Sequence, residues 1–348
     1  MTEQEFQTFL RSIRPADRAA MDAAARRQAE LAKPPGSLGA LEDVSIRLAG
    51  LTGRVKNRID RCRVLVFAAD NGVTAEGVSA TPVSVTLSQS INMTRHITGM
   101  SALAAAFGDS VVVTDVGIDA DVRCPEIVNR KIRRSTGDIA REPAMTREQA
   151  QRAAQDGMQA VGIGEMGIGN TTTSSAVAAV LLGQPVEVMT GRGAGLSDEG
   201  LARKIDAIHR GIAKNQTDSA DALDVLAKLG GFDIAGLCGI FLGGALEGVP
   251  VLADGFISCV AALCAVRFCP AAAKAVFASH CSTEPAAKLV LDALNKKNLI
   301  TAGLHLGEGT GAVAAIPLWD MALAVYDGCY SFEEGGIEAY TPQGGEGC

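Results

Sequence analysis

Residues 64–72 read VLVFAADNG, in which six apolar residues are followed by an aspartate, an asparagine and a glycine. The pattern of an apolar run followed by Asp and Gly recurs at residues 111–117, VVVTDVG, and at residues 250–255, PVLADG. Helical patterns fill most of the gaps, for example at 174–182 and 200–213. Apolar strands that alternate with helices predict an α/β fold, with a parallel sheet covered by helices on both faces. Ligands bind beyond the carboxyl ends of such strands, where these turns lie.

Three more apolar runs, at residues 160–163, 186–190 and 275–278, are further candidate strands. The first 50 residues are predicted to be largely helical, because apolar positions recur there at helical spacing. The segment KPPGSLG at residues 33–39 is a rigid break between those helices.

The composition limits the classes of function. The chain has 348 residues, of which 47% are hydrophobic and 20% charged, which is enough for one large domain and a smaller one. Its formal net charge of −7 argues against a nucleic-acid-binding surface. Five basic residues cluster between positions 123 and 134 without interleaved aromatic residues, which favours a solvated face or an edge strand.

The cysteines and the apolar runs indicate the compartment. None of the nine cysteines forms a CxxC pair, so they are interpreted as buried small hydrophobes in a reducing compartment rather than zinc ligands. The amino terminus does not resemble a secretory signal, and the uncharged runs are too short or too polar to span a bilayer. We therefore expect a soluble, cytoplasmic protein.

The segment LGEGTG at residues 306–311 places a single carboxylate, Glu308, between glycines. Glycine-flanked backbone can approach a ligand closely, and a carboxylate held there in a partly dry site can act as a general base. The alternative is a tight turn whose glutamate is solvated.

The segment EMGIGNTTT at residues 165–173 follows a candidate strand and opens a helix. Its glycines, its hydroxyls and the positive potential of a helix start form a suitable phosphate cradle. It lacks both the Gly-Lys-Thr ending of a P-loop and the dinucleotide fingerprint. The alternative is an ordinary capped loop.

Other polar residues are weaker candidates. A second glycine-rich turn lies at 191–195, and Lys204 beyond it could give a phosphate a point charge, although a surface lysine is the alternative. Thr81 and Gln89 are suited to orienting a heterocycle, unless they serve only as caps or solvent contacts. The turn SHCS at 279–282 could line the same cleft, with His280 interpreted as structural.

In their order along the chain, these segments resemble the nicotinate-nucleotide–dimethylbenzimidazole phosphoribosyltransferase family. The resemblance runs from KPPGSLGALE at 33–42 to LGEGTGA at 306–312. Each motif alone is unspecific, but their order over almost the whole chain is highly specific. The intervening motifs are AADNGV, QSINMTRHITG, DVGIDA, GEMGIGNTT, KLGGFDIAG, DGFIS and SHCS.

The resemblance implies transfer of a 5-phosphoribosyl group from nicotinate mononucleotide to a lower-ligand base, which gives nicotinate and an α-riboside phosphate in cobamide synthesis. The favoured acceptor is 5,6-dimethylbenzimidazole, and a phenolic or purine acceptor is the alternative. The family's general base corresponds to Glu308, and Glu165 is expected to support the ribosyl cation or the ribose hydroxyls. Arg192 could steer the donor. No metal and no cofactor are implied.

The resemblance also assigns substrate-binding residues. The residues implied for the phosphate are Gly167, Gly169, Asn170, Thr171, Thr172, Gly193, Ala194, Lys204 and Ser282. Those implied for the base are Thr81, Gln89, Met166 and Leu306.

The fold that it implies is a Rossmann-like parallel six-stranded sheet in a large α/β domain, residues 61–304. A small helical domain would comprise residues 1–60 and about 305–348. The family forms homodimers with the active site near the subunit interface, and some relatives pair two unlike subunits. Two alternatives stay open: a non-catalytic partner subunit, and a nicotinamide-dependent dehydrogenase, which the missing dinucleotide fingerprint disfavours.

Overall fold

The computed structural model describes residues 3–59, 62–155 and 162–340. Within them, seven parallel strands form one sheet in the order β3-β2-β1-β4-β5-β6-β7. The expectation of a parallel sheet is confirmed, whereas the expected number of six strands is wrong. The strands are β1 (Arg63–Ala69), β2 (Ser110–Gly117), β3 (Val128–Asn129), β4 (Gly162–Met166), β5 (Val251–Ala253), β6 (Val276–His280) and β7 (Asn298–Ile300).

Fourteen α-helices lie within the described residues, and those predicted at 174–182 and 200–213 are confirmed. None of these fourteen is long and apolar enough to cross a membrane. They are α1 (Glu3–Ser12), α2 (Arg18–Glu30), α3 (Ala40–Thr52), α4 (Val85–Thr94), α5 (Gly99–Phe107), α6 (Arg147–Gln155), α7 (Asn170–Leu182), α8 (Val186–Met189), α9 (Asp198–Asn215), α10 (Ala222–Leu229), α11 (Phe232–Glu247), α12 (Phe256–Phe268), α13 (Ala287–Ala293) and α14 (Thr310–Gly328).

The strand predicted at 186–190 is wrong, because this segment is the short helix α8. Val186 and Met189 are buried while the two residues between them are exposed, which is the spacing of a helix face rather than of a strand. Pro185 precedes the helix as its N-cap. Of the strand predicted at 160–163, residues 160 and 161 lie outside the described residues, and β4 begins at Gly162.

The strand order places a topological switch point between β1 and β4. From β1 the sheet grows in one direction through β2 and β3, and in the other through β4 to β7. The two central strands pair in register, with Phe67 opposite Glu165 and Ala68 opposite Met166. A crevice beyond the carboxyl ends of strands at such a switch is the usual binding site of open α/β sheets.

Helix α11 is the central helix of the core, since 14 of its 16 residues are buried. Its glycines permit this packing. A Cβ atom added at Gly236 would lie 2.3 Å from the Phe67 ring of β1, and one added at Gly239 would lie 1.7 Å from the carbonyl oxygen of Ala154 in α6. Both contacts are far shorter than van der Waals distance, so α11 sits closer to its neighbours than any side chain would allow.

Helices from both ends of the chain pack together. Helix α3 packs against α2 and α14, and the chain between α2 and α3 is the break predicted at 33–39. An antiparallel bridge joins Leu31 to Ser331. Residues of α1 and α3, such as Phe6 and Leu48, also belong to the main core.

We predict that Gly239→Ala destabilises the fold by about 1–3 kcal/mol, the usual cost of forcing an extra carbon into a packed core. The change is measured as a lower midpoint of urea unfolding. The matched control is Gly328→Ala at the end of α14, where an added Cβ would meet nothing within 4 Å. The control is expected to gain up to about 1 kcal/mol from helix propensity. Equal midpoints for the two variants would contradict this account of the α11–α6 contact.

Candidate functional site

A cleft of about 200 Å³ opens at the carboxyl ends of the strands from β4 towards β7. We call it the carboxyl-end cleft. Ten of the residues proposed from the sequence line it: Glu165, Met166, Gly167, Asn170, Thr171, Gly193, Ala194, Ser282, Leu306 and Glu308. The parallel sheet brings them together because the turns after its strands meet at one edge.

Five other predicted residues do not line the cleft, and four of them contact its walls or sit within them. Gln89 and Lys204 hydrogen-bond to lining residues, Gly169 caps α7, and Thr172 is buried inside the first turn of that helix. Thr81 is the fifth, and its backbone pairs locally with the Ser79 hydroxyl.

Glu308 occupies a strained and largely buried turn. Its φ of +64° lies between those of Gly307, +80°, and Gly309, +101°, so three successive residues adopt the left-handed conformation. A residue with a side chain rarely takes this conformation unless its surroundings impose it. One reason lies in β4, where a Cβ on Gly164 would be 2.0 Å from the Glu308 carbonyl oxygen. The turn is therefore wedged against the sheet.

The two carboxylate oxygens of Glu308 have different environments. Oε1 accepts a hydrogen bond of 2.7 Å from Nε2 of Gln89 on α4. Oε2 is buried and has no hydrogen-bond partner within the described residues. A buried carboxylate oxygen without a donor is energetically costly, and it is suited to accept a proton from a bound molecule.

Asp254, which follows β5, fixes the backbone after Glu308. Its carboxylate accepts hydrogen bonds from the backbone N–H of Gly309, 3.1 Å, and of Gly311, 2.6 Å. These groups begin α14, whose positive end favours an anion. Burial raises the pKa of Asp254 to about 7, although the backbone N–H donors favour the charged form.

Glu165 belongs to a chain of buried polar groups. The side-chain amide of Asn170 donates to Glu165 and, at 2.9 Å, to Asp233 of α11. Burial, followed by the charge of Asp233, raises the pKa of Glu165 well above its ordinary value. Burial likewise raises the pKa of Asp233 to about 6. A cationic group bound beside these carboxylates would favour their charged forms, since opposite charge lowers a carboxyl pKa.

The loop before α7 is held so that the start of this helix faces the cleft. The backbone N–H of Ile168 donates to the Thr86 hydroxyl at 3.2 Å. Gly169, with φ of +93°, then turns the chain into the helix. The backbone N–H groups of Asn170 and Thr172 already donate to the carbonyls of Gly167 and Gly169, at 3.1 and 3.0 Å. The feature that favours a phosphate here is therefore the positive end of the helix.

Lys204 lies completely buried behind this cradle rather than at the surface. Its Nζ donates to the Thr171 hydroxyl and to the Gly191 carbonyl, both at 2.9 Å. Burial lowers its pKa to about 8, and the nearby carboxylate of Glu284 acts in the opposite direction. Glu284 in turn accepts a hydrogen bond of 3.1 Å from the backbone N–H of Gly193. Lys204 thus joins the second glycine-rich turn to the start of α7.

Arg192 turns away from this assembly. It forms an ion pair with Asp198 and donates to the Leu196 carbonyl, both near its own turn.

Sequence reasoning left Asp233, Asp254 and Glu284 without a role in the site. Asp254 and Asp233 had recognisable signals, since Asp254 follows an apolar strand and Asp233 lies in the motif KLGGFDIAG, whereas Glu284 had none. In the described residues, no group of three or more His, Cys, Asp or Glu side chains could hold a metal ion.

Comparisons with known proteins identify relatives of the chain over almost its whole length. A family model described as a phosphoribosyltransferase matches residues 13–337. The nicotinate-nucleotide–dimethylbenzimidazole phosphoribosyltransferase of Acetivibrio thermocellus is 46% identical, over 97% of this chain and 99% of that protein. The Chloroflexus aggregans protein of the same name is 45% identical, over 93% and 96% respectively. The crystal structure of the Thermus thermophilus enzyme superposes with a TM-score of 0.86 at 39% identity, covering 92% of this chain and 99% of that one.

The raised pKa of Asp233 predicts a pH dependence of stability. The folded state binds this proton more tightly than the unfolded state, whose aspartate titrates near its ordinary value of 3.8. Raising the pH from about 4 to about 6 therefore favours unfolding at this group. Urea unfolding between these pH values should show a shallower fall in stability for Asp233→Asn than for the wild type. The exposed Asp292→Asn is the control and should keep the wild-type slope.

Proposed function

Because this chain belongs to the nicotinate-nucleotide–dimethylbenzimidazole phosphoribosyltransferase family, we propose that it moves the 5-phosphoribosyl group of nicotinate mononucleotide to 5,6-dimethylbenzimidazole or a related base. The products are nicotinate and an α-riboside 5'-phosphate. One observation carries the proposal: Glu308, whose buried Oε2 has no hydrogen-bond partner within the described residues, lines the carboxyl-end cleft together with the start of α7.

Glu308 is proposed as the general base. Gln89 holds Oε1 at 2.7 Å and leaves Oε2 to take the N–H proton of the azole acceptor. As the proton leaves, the opposite azole nitrogen forms its bond to C1' of the ribose. The bond from C1' to the nicotinate nitrogen breaks, and its electron pair neutralises the pyridinium. The leaving group is then uncharged at nitrogen and needs no acid.

Glu165 is proposed to face the ribose. It lines the cleft beside Glu308, and its second oxygen, Oε1, would be 3.0 Å from a Cβ on Gly307. The donor is cationic at its pyridinium, and positive charge grows on the ribose in the transition state. Both changes favour a charged Glu165, which then stabilises the ribosyl cation.

The phosphate is proposed to bind the start of α7. Gly167, Gly169, Asn170, Thr171 and Thr172 supply the loop and the first turn. Gly193, Ala194 and Ser282 line the same cleft, and Lys204 adds positive charge through Thr171. The base is proposed to lie between Met166 and Leu306, near Gln89, with Thr81 in the loop that precedes the same helix α4.

We also propose that the chain forms a homodimer through α5. This helix carries no charged residue, and Leu103 and Phe107 are exposed by 38% and 59% on one face. Gly99 begins the same face and touches Leu306, a residue of the cleft. We call Gly99, Leu103, Phe107 and Leu306 the α5 stripe. An apolar stripe that reaches the cleft is consistent with an active site near a subunit interface.

Two further parts of the proposal concern organisation and location. A small helical domain, residues 1–60 with about 305–348, is supported by the packing of α3 on α2 and α14. A cytoplasmic location is supported by the eight described cysteines, all of which are free.

We predict that Glu308→Gln lowers kcat by on the order of 10²–10⁴-fold, the usual contribution of a general base. Glutamine keeps an acceptor for Gln89 but takes no proton, so the unfolding midpoint should stay near that of the wild type. Nicotinate release at saturating base is the measurement. The control is Glu187→Gln, an exposed residue paired with His209, which should leave kcat unchanged.

The acceptor is identified by mass. The purified chain is incubated with nicotinate mononucleotide and a panel of benzimidazoles, purines and phenols, and the products are identified by mass spectrometry. We expect the α-riboside phosphate of 5,6-dimethylbenzimidazole to form fastest. A chain that releases no nicotinate with any acceptor contradicts the proposed function.

We predict that Phe107→Glu converts the dimer to a monomer, because it places a buried charge in an apolar interface. Molar mass from light scattering is the readout. The control is Glu126→Gln, an exposed side chain outside the α5 stripe, which should leave a dimer. A wild-type chain that is monomeric, or a dimeric Phe107→Glu variant, would exclude α5 as the interface.

A further inference from the structure

A second cavity lies at the opposite ends of the strands from the carboxyl-end cleft. Arg47 of α3 donates to the carbonyl of Val276, the first residue of β6, whereas His280, the last residue of that strand, lines the cleft. The cavity has a volume of about 510 Å³, and we call it the basic cavity. Among the described residues, four cationic side chains and no carboxylate line it: Arg18, Arg47, Lys274 and Lys296.

The Arg47 side chain is fixed by its neighbours, but its positive charge is only partly neutralised. Its guanidinium stacks over the Phe277 ring at 4.1 Å, and Val276 accepts one of its five N–H groups. Burial lowers its pKa to about 10. Asp43, one turn earlier on α3, partly offsets its charge but forms no ion pair within 4.0 Å in the described part of the chain.

Lys296 points into the same space. Its Nζ donates to the Ala273 carbonyl at 2.7 Å, which leaves two N–H groups for another acceptor. Burial, and then the charge of Arg47, lowers its pKa to about 7. Arg47 is close enough to lower the pKa of Lys296, and both side chains line a cavity without a carboxylate. Two such cations repel each other unless an anion binds between them.

We infer that the basic cavity binds a small phosphate-class oxyanion between Arg47 and Lys296. The planar guanidinium matches two oxygens of such an anion, and the ammonium contributes a compact charge. Lys274 and Arg18 supply further charge at the walls, and a divalent anion is therefore preferred to a monovalent one. The site is separate from the phosphate cradle at α7, because the two lie at opposite ends of the strands.

The chain contains its own reporter for this site. Trp319 is the only tryptophan, and its ring centroid lies 4.8 Å from that of Phe277, the ring under Arg47. Trp319 and Arg47 also line a neighbouring cavity that adjoins the basic cavity through Arg47 and Asn295. An anion that moves Arg47 should therefore change the fluorescence of Trp319.

The test is a titration of the full chain with inorganic phosphate against sodium chloride at matched ionic strength. Trp319 fluorescence and the thermal midpoint are recorded together. We expect a saturable phosphate response in both that chloride does not give. Lys296→Gln should weaken it by about tenfold or more, the usual effect of losing a charge-assisted hydrogen bond. A parallel titration with glycerol 3-phosphate separates a phosphomonoester from free phosphate by which of them binds more tightly.

The matched control is Lys288→Gln, which removes an equal charge from the exposed face of α13. It should respond as the wild type does. Should Lys296→Gln prove unstable in urea unfolding, Lys274→Gln provides the second variant, with an expected weakening of a few-fold. The inference is overturned if neither readout responds to phosphate beyond chloride. It is equally overturned if the response is the same in the wild type and in the cavity variants, which would assign it to the cleft.

Discussion

The hydrogen bonds from the start of α14 to the Asp254 carboxylate are the interaction on which the site depends. They connect the end of β5 to the residue that follows Glu308, and each charge-assisted bond of this kind contributes about 1.5–3 kcal/mol. Gly164 on β4 lets the same turn press against the sheet. The position of Glu308 therefore follows from two strands and one helix, rather than from the flexibility of a glycine-rich loop.

The distribution of charge in the cleft fits a cationic donor that carries a phosphate. Buried carboxyl groups gather on the side of Glu165, where their pKa values are raised. The phosphate side has the opposite character, with the start of α7 and the buried Lys204. The positive ring of such a donor would stabilise the charged forms of the buried carboxyl groups, and its phosphate would stabilise the charged form of Lys204. The proposed reaction uses this separation of charge.

Much of the fold could be predicted because its strands are fully apolar and end in Asp and Gly. Strands β3 and β7 were missed because neither is a fully apolar run that ends in Asp and Gly: β3 is only Val128–Asn129, and β7 begins at Asn298. The segment 186–190 was wrongly predicted as a strand because the helix it forms is about one turn long, too short for a helical spacing of apolar residues to repeat. Ten of the fifteen site residues proposed from the sequence line the cleft. The family resemblance included Asp233 only as part of the motif KLGGFDIAG, without a role, and it did not include Glu284. Their partners Asn170 and Gly193 are distant in sequence and come close only through packing.

The close approach of Gly164 to the Glu308 carbonyl also restricts how this chain can be redesigned. Any side chain at position 164 would displace Glu308. The cleft therefore cannot be reshaped by substituting this residue of β4. Leu306 is 58% exposed, and Met166, the last residue of β4, also lines the cleft. A library of variants that seeks new acceptor bases should therefore vary Leu306 and Met166 and leave Gly164 unchanged.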